Sequence, residues 1–472
     1  MAIVETGNAP ASERRTACPG SGVQPPHEDP RGPIDTTLSG IDLTRLVEDV
    51  ASDLRGSGVT FRTPDGDDDF RVDPVPRMIT AAEWAPLAAG LAQRVRGLER
   101  FVADAYGRQR IVEAGVIPLD AITTAEYFEP ALVGMPHPPK NWIPLAGLDV
   151  VRDTDGEFKV LEDNLRTPSG LAYAIAARDA LTRNLPVPDG LRVHSLDEAF
   201  ETLRQTIFAA APDGVDDPTV IVLSDGPHNA ANYEHQTIAA KLGVPLVEPV
   251  DLRTVAGRLH ARIDGRPHPV DVVYRRTDED RLFDPAGAAT PLGELVREPW
   301  LAGRVSIVNA YGTGLADDKL LHAYVEDIVR FYLDEEPILR SVPTYDLSRP
   351  DQLALVLDRI DELVIKPRGG QGGAGIVVCP HARPDAVARI AAEVRARPEL
   401  YVAQEMIMLS RQPTVCDGRL EPRHVDLRPF VMARGDHVDV IPGGLTRVAF
   451  DRDALVVNSS QNGGAKDTWV LR

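Results

Sequence analysis

The sequence is poor in cysteine. Its 472 residues contain three, Cys18, Cys379 and Cys416, and they lie far apart. An odd, scattered set fits neither a disulfide framework nor a zinc site, and it points to the reducing cytoplasm. The sequence also lacks any run of ~18 apolar residues, so no membrane-spanning helix is expected. The N-terminal stretch MAIVETGNAPASERR lacks the long apolar segment of a signal peptide. Basic residues are in deficit, with 51 Lys and Arg against 71 Asp and Glu and a net charge of −20. A general grip on nucleic acid is excluded, because that needs a basic face. An anionic substrate would have to find a local cationic pocket. What remains is an ordinary globular composition, 43% hydrophobic and 26% charged, long enough for two or three domains.

Residues 1–35 are rich in Pro, Gly, Ser and charge and are expected to form a disordered tail. The pattern changes near Thr80, where Thr80 and Glu83 stand at capping-box spacing. Trp84, Leu87, Leu91, Val95, Leu98 and Val102 then recur every three or four residues and predict a long amphipathic helix. The stretch GLDVVRDTDGEFKVLEDNLRTPSG, Gly147 to Gly170, reads as two strands around a turn at Asp155-Gly156. From Thr219 onward TVIVLSDG, VPLVEP and VDVVYRR read as strands, with NYEHQTIAAKLG as a helix between the first two. Strands alternating with helices predict a parallel α/β domain. A second α/β region runs from about Asp317 to the C-terminus.

The loop GGQGGAG contains the spacing G-x-G-x-x-G at Gly370, Gly372 and Gly375. A dinucleotide fingerprint requires a following helix, but here the β-branched run IVVC follows. A P-loop ends in Gly-Lys-Ser/Thr, and this loop does not. It therefore reads as a hairpin of strand, glycine loop and strand, with Lys366 on the entry strand. Glycines let backbone N–H groups approach phosphate oxygens, and the lysine adds a point charge. Downstream, YVAQEMI ends in Gln404, Glu405, Met406 and Ile407, offering backbone groups to adenine and a carboxylate to ribose. In RHVDLRPFVM, Asp426 and Arg428 share one strand face. GGLTRVA returns Arg447, and two converging arginines suit a transferring phosphoryl group. Upstream, GLADDKLL places Lys319 where a second phosphate-gripping lysine is wanted.

This order resembles that of the ATP-grasp ligases, with one displacement. Their closing elements, an Asp strand and then Glu-x-Asn followed by Pro and Gly, precede the glycine loop here as Asp149, Glu162, Asn164 and Pro168-Ser169-Gly170. With the turn at Asp155-Gly156, Asp149 is expected opposite Glu162, with Asn164 on the same face. From about Val75 to Arg472 the chain resembles the circularly permuted ATP-grasp family, some members of which carry a glutathionylspermidine-synthase-like label. VPRMITAAEW, LEDNLRTPSG, VYRRTDED, NAYGTGLADDK and VNSSQNGGAKDTWVL are among the matching stretches.

The resemblance implies a mixed α/β (α+β) fold, and with the residues ahead of it the chain divides into six expected parts. The disordered tail 1–35 and an N-terminal helical region 36–140 come first. Permuted metal-binding strands 141–185, a linker 186–218, a Rossmann-like pre-grasp domain 219–316 and a nucleotide-binding region 317–472 follow. It implies a carboxylate–amine ligase that uses ATP and Mg²⁺, forms an acyl phosphate and releases ADP. Its partners would be a small or peptide acid and an amine, with neither nucleic acid nor membrane involved. Lys319 and Lys366 would hold phosphates under Gly370, Gln371, Gly372, Gly373 and Gly375. Gln404, Glu405 and Ile407 would form the hinge. Asp149, Glu162 and Asn164 would bind Mg²⁺, and Arg428 and Arg447 would face the transferring phosphoryl group. Ala374 stands where an aromatic residue is expected in the loop.

Three further places carry two readings each. Glu234 and His235 either hold the amine or are ordinary helix-start residues. Arg275 and Arg276 bind a substrate carboxylate or end a strand in salt bridges. The terminal SSQNGGAKDTW, with Asn458, Gln461, Asn462 and Asp467, borders the site or frays. Lys466 is the catalytic candidate there and Trp469 the anchor. The rival functions are a nucleotide-binding interaction protein without turnover, and a phosphotransferase.

Overall fold

The computed structural model describes residues 38–63, 66–284, 286–370, 375–451 and 463–472. The expected tail and the glycine-loop tip lie outside them. The main sheet has eight strands. Seven run in the order Arg340–Ser341, Phe158–Glu162, Asp149–Arg152, Arg419–Arg428, Leu445–Ala449, Gly463–Val470 and Val72–Ile79, and Arg411–Cys416 pairs alongside Arg419–Arg428. Leu427 pairs with Val150, so early strands are hydrogen-bonded directly to late ones. The resemblance to a permuted grasp required this join.

A second, four-stranded sheet orders Thr344–Asp346, Tyr401–Glu405, Leu363–Pro367 and Val377–Val378. Its last two strands are antiparallel, with Val364 opposite Val378. The glycine loop therefore spans a hairpin, as read from the sequence. A third sheet, Ser306–Val308, Val272–Arg276, Val220–Ser224 and Leu246–Val247, is parallel throughout. The helix Asn232–Leu242 follows its Val220–Ser224 strand and ends at Gly243 in the left-handed conformation, where glycine costs no Cβ clash.

The helix Ala81–Ala105 begins with the expected capping box between Thr80 and Glu83. Its periodic apolar residues are buried in one large core with Val150, Val160, Ile221, Val273 and Ile307. That core joins the N-terminal helix to both the main and the parallel sheets. Two expected regions differ in content. The stretch expected to be helical, 36–140, also supplies Val72–Ile79, a wholly buried strand that runs parallel to Gly463–Val470. Its two prolines and charged residues hid the strand from a periodicity reading. The expected linker 186–218 contains the helix Ala199–Ala209, which buries Leu203 and Ile207. Trp469 is 1% exposed and anchors the C-terminal strand as expected. Among the described residues no helix is long and apolar enough to cross a membrane.

Candidate nucleotide and phosphoryl-transfer site

Between the main and second sheets lies a cleft of about 810 Å³. It is lined by Asp149, Glu162, Asn164, Lys319, Lys366, Gly370, Gln404, Glu405, Ile407, Arg428 and Arg447. Residues read from both halves of the sequence therefore face one space.

One side of the cleft carries Lys319 and Lys366. Lys319 Nζ donates to the Gly370 carbonyl at 2.9 Å and stands 3.7 Å from Glu162 Oε1. Lys366 makes no hydrogen bond or ion pair with the described residues. Burial pushes its pKa down to about 8, with the Glu162 carboxylate pulling the other way. Among the described residues Lys366 is a cation without a fixed counterion. Gly370 and Gly375 both have positive φ, 94° and 74°. Gly370 lines the cleft, whereas Gly375 packs against Pro367. Gln371, Gly372 and Gly373 lie outside the described residues. The base of the hairpin is fixed by Arg368, a residue the sequence reading missed. Its Nε donates to both Asp318 oxygens at 2.7 and 2.8 Å, and its other nitrogens reach Thr124 Oγ1 and the Ala121 carbonyl.

Opposite stands a buried cluster of charges. Asp149 is directly across from Glu162 on the neighbouring strand, as expected, but a register shift beside Asp149 makes the pairing, since Val150 stands opposite Val160. Arg428 grips Asp149 with Nε at 2.7 Å and Nη2 at 3.0 Å. Arg447 Nη2 adds a bond to Asp149 Oδ2 at 2.8 Å, and Arg447 also pairs with Asp426. Burial alone would raise the Asp149 pKa, but Arg428 and Arg447 overcome it and hold the group at about 2. Gly147 permits this packing, since a Cβ there would lie 2.8 Å from Pro168 Cβ and 3.4 Å from Arg428 Cδ.

The donor set fits Mg²⁺ unevenly. Glu162 keeps an accessible carboxylate, its side chain being 37% exposed. Asn164 lines the cleft, and its Nδ2 is buried with no hydrogen-bond partner among the described residues. Both oxygens of Asp149 are already taken by guanidinium N–H groups. Among the described residues no group of three His, Cys, Asp or Glu side chains could hold a metal. Two oxygen donors, with phosphate oxygens and water completing the shell, match the way Mg²⁺ is commonly held.

On the hinge strand, Gln404 Nε2 donates to Thr344 Oγ1 at 3.0 Å and to the Leu161 carbonyl at 3.3 Å. The Glu405 carboxylate accepts from Tyr345 Oη at 2.5 Å and from Arg359 at 3.2 and 3.3 Å. It borders the cleft with its oxygens engaged.

Besides Gly375, six of the described sequence candidates do not line the cleft. Lys466 is fully buried and bonds to Asp73, the Val75 carbonyl and the Pro413 carbonyl. It points to the opposite face of its strand, so its role is structural. Its neighbour Asp467 accepts from Arg178 and the Trp469 indole. Asn458, Gln461 and Asn462 lie outside the described residues. Glu234 accepts from the backbone N–H groups of Gly170 and Ala172 at 2.8 and 3.0 Å and pairs with Arg276. Arg276 also holds the Pro168 carbonyl and Ser169 Oγ. These two fix the Pro-Ser-Gly exit from behind. His235 is buried against Ser224 Oγ, at 2.8 Å. Arg275 stacks over Tyr311, 4.8 Å from the ring centroid. The wall that these residues support is formed instead by Asn229, Thr277, Asp278 and Asp280. Arg166, four residues past the main-sheet strand Phe158–Glu162, ties to this wall through Asp280 at 2.6 Å and holds Asp317 at 2.7 Å. Arg166 and the acids of RRTDED lay inside quoted motifs, but nothing in the spacing paired them.

A family model described as "Circularly permuted ATP-grasp type 2" matches residues 76–449. An uncharacterized protein of Synechocystis sp. is 42% identical over 424 residues, 88% of each chain. A Frankia casuarinae chain named "Putative glutamate--cysteine ligase 2-2" is 44% identical over 427 residues, covering 89% of this chain and 48% of that one. The name belongs to a protein about twice as long as the matched part. Among solved structures, a glutathione synthetase like-effector from Globodera pallida, in apo form, superposes with a TM-score of 0.59 at 12% identity. That match covers 91% of this chain and 98% of the other. At that identity the likeness concerns the fold alone.

Proposed function

The chain belongs to the circularly permuted ATP-grasp family, and from that premise we propose that it is an ATP-dependent carboxylate–amine ligase. It would join a small acid or peptide to an amine with release of ADP and phosphate. One observation carries this reading. Lys319, Lys366, Glu162, Arg428 and Arg447 come from separate parts of the chain and line one cleft.

In this reading Lys319, Lys366 and the glycine hairpin grip the polyphosphate of ATP, and the hinge at Gln404 to Ile407 borders the base and ribose. Glu162 and Asn164 hold Mg²⁺, which when bound neutralises charge on the phosphate oxygens. Asp149 orients Arg428 and Arg447 toward the transferring phosphoryl group. A substrate carboxylate oxygen attacks the γ-phosphorus, breaking its bond to the ADP oxygen and giving an acyl phosphate. The neutral amine then attacks the acyl carbon, inorganic phosphate leaves, and the amine proton passes to solvent. The protein contributes positioning and charge, with no covalent nucleophile of its own. The free thiols of Cys379 and Cys416 suit a reducing cytoplasm.

The test is a screen of acid–amine pairs for ADP release. A ligase releases ADP in amounts matched to amide only when both partners are present. ADP formed equally with the acid alone, with a stable phosphorylated product, would make the protein a phosphotransferase.

A further inference from the structure

Beneath the cleft floor sits a buried arrangement that the reading above does not use. His322 is 5% exposed. Its Nδ1 lies 2.8 Å from Asp163 Oδ2 and 3.2 Å from Arg94 Nη2. Arg94 grips Asp163 with two bonds of 2.7 Å. Burial would raise the Asp163 pKa, but Arg94 outweighs it and holds the group well below the usual carboxylate range. With both of its oxygens held by Arg94 N–H groups, Asp163 acts as an acceptor, so the His322 Nδ1 at 2.8 Å from Oδ2 is the donor. Burial first, and then the Arg94 and Lys366 charges, lower the His322 pKa against the pull of Asp163. With Nδ1 donating to Asp163, Nε2 is the ring's remaining acceptor.

That Nε2 is buried and has no partner. The ring borders a small pocket of about 10 Å³, shared with Lys366, Lys319, Glu162, Thr344 and Gln404. This is on the scale of one water molecule. Gln404 and Thr344 already have hydrogen-bond partners. Lys319 is engaged by Gly370 and Glu162. Lys366 is a donor with no bond among the described residues, and His322 Nε2 is the buried acceptor without one, whereas Glu162 keeps its carboxylate toward the open cleft.

We propose that His322 is a positioning residue of the nucleotide site, holding the Lys366 ammonium toward the phosphates through one water seated between Nε2 and Nζ. The inference rests on the nucleotide reading of the cleft.

Two substitutions separate this role from a structural one. His322→Asn keeps a donor near the Nδ1 position, and with it the Asp163 bond, but loses the Nε2 acceptor. His322→Gln keeps an acceptor near the Nε2 position and loses the Asp163 bond. Titration calorimetry with ATP and Mg²⁺ should show His322→Asn binding about tenfold more weakly and His322→Gln within about threefold of the wild type. The reverse order would make His322 structural and overturn the proposal. If the wild type binds no ATP, the nucleotide reading itself fails. Should either variant fail to fold, histidine ¹⁵N NMR of the wild type decides. Protonated Nδ1 with an unprotonated Nε2 supports the proposal, and protonated Nε2 refutes it.

Discussion

Lys366→Met removes a charge from the cleft while nearly preserving side-chain length. The lysine makes no ion pair with the described residues, so the substitution leaves no charged partner stranded. The melting temperature without ATP should stay within a few degrees of the wild type. Binding should suffer much more. A hydrogen bond between an ammonium and phosphate is worth ~1.5–3 kcal/mol, or roughly tenfold to a hundredfold in affinity. At an ATP concentration about 100 times the wild-type Kd, ATP stabilises the wild type by ~2.7 kcal/mol. After a hundredfold weakening, the same concentration gives only about 0.4 kcal/mol, from RT ln 2. Calorimetric titration and ATP-dependent melting therefore report the same loss. The pH dependence adds an independent check. Lys366 titrates at about 8 in the free cleft, and phosphate charge raises that value. Binding above pH 8 thus takes up a proton, and affinity falls as pH climbs through 8. The mutant should lack that slope. An undiminished ATP affinity in Lys366→Met would refute the reasoning and leave this lysine a structural residue.

Glu162→Gln should lower turnover by ~10²-fold or more, roughly 3 kcal/mol of transition-state stabilisation, in a protein that still folds. Steady-state kinetics at saturating Mg²⁺ check this, and near-wild-type turnover removes Glu162 from the metal site. Arg447→Lys keeps the charge but cannot span Asp149 and Asp426 as a guanidinium does. It should reduce kcat by about 10²-fold while ATP affinity by calorimetry changes little. Lys466→Met leaves Asp73 buried without its cation and should cost about 3–5 kcal/mol in denaturant unfolding. The fraction that folds should turn over normally.

The sequence made legible whatever has a local pattern. The capping box at Thr80 and Glu83 and the apolar stripe from Trp84 to Val102 are periodic, and both are present. The pairing of Asp149 with Glu162 is expected from the turn at Asp155-Gly156, although a register shift beside Asp149 delivers it. The convergence of Asp426, Arg428 and Arg447 follows from strand alternation and an antiparallel neighbour. What escaped depended on distant partners. Lys466 reads as a polar residue near the C-terminus, and only Asp73, brought beside it by a parallel strand, shows that it is buried. Glu234 and Arg276 sit where ligand-binding loops begin, but their charges are spent on each other and on the backbone from Pro168 to Ala172. Arg368 and His322 find Asp318 and Asp163 through the fold, and no spacing in the sequence announces either pair.

The account rests on one claim: strands from before the glycine hairpin complete the site that the hairpin begins. Hydrogen exchange with and without Mg-ATP tests it without knowledge of the acid or the amine. The account predicts that ATP slows exchange both in peptides covering 363–378 and 401–407 and in the peptide covering 147–170. Protection confined to the later segments, with exchange in 147–170 unchanged at saturating Mg-ATP, would contradict it.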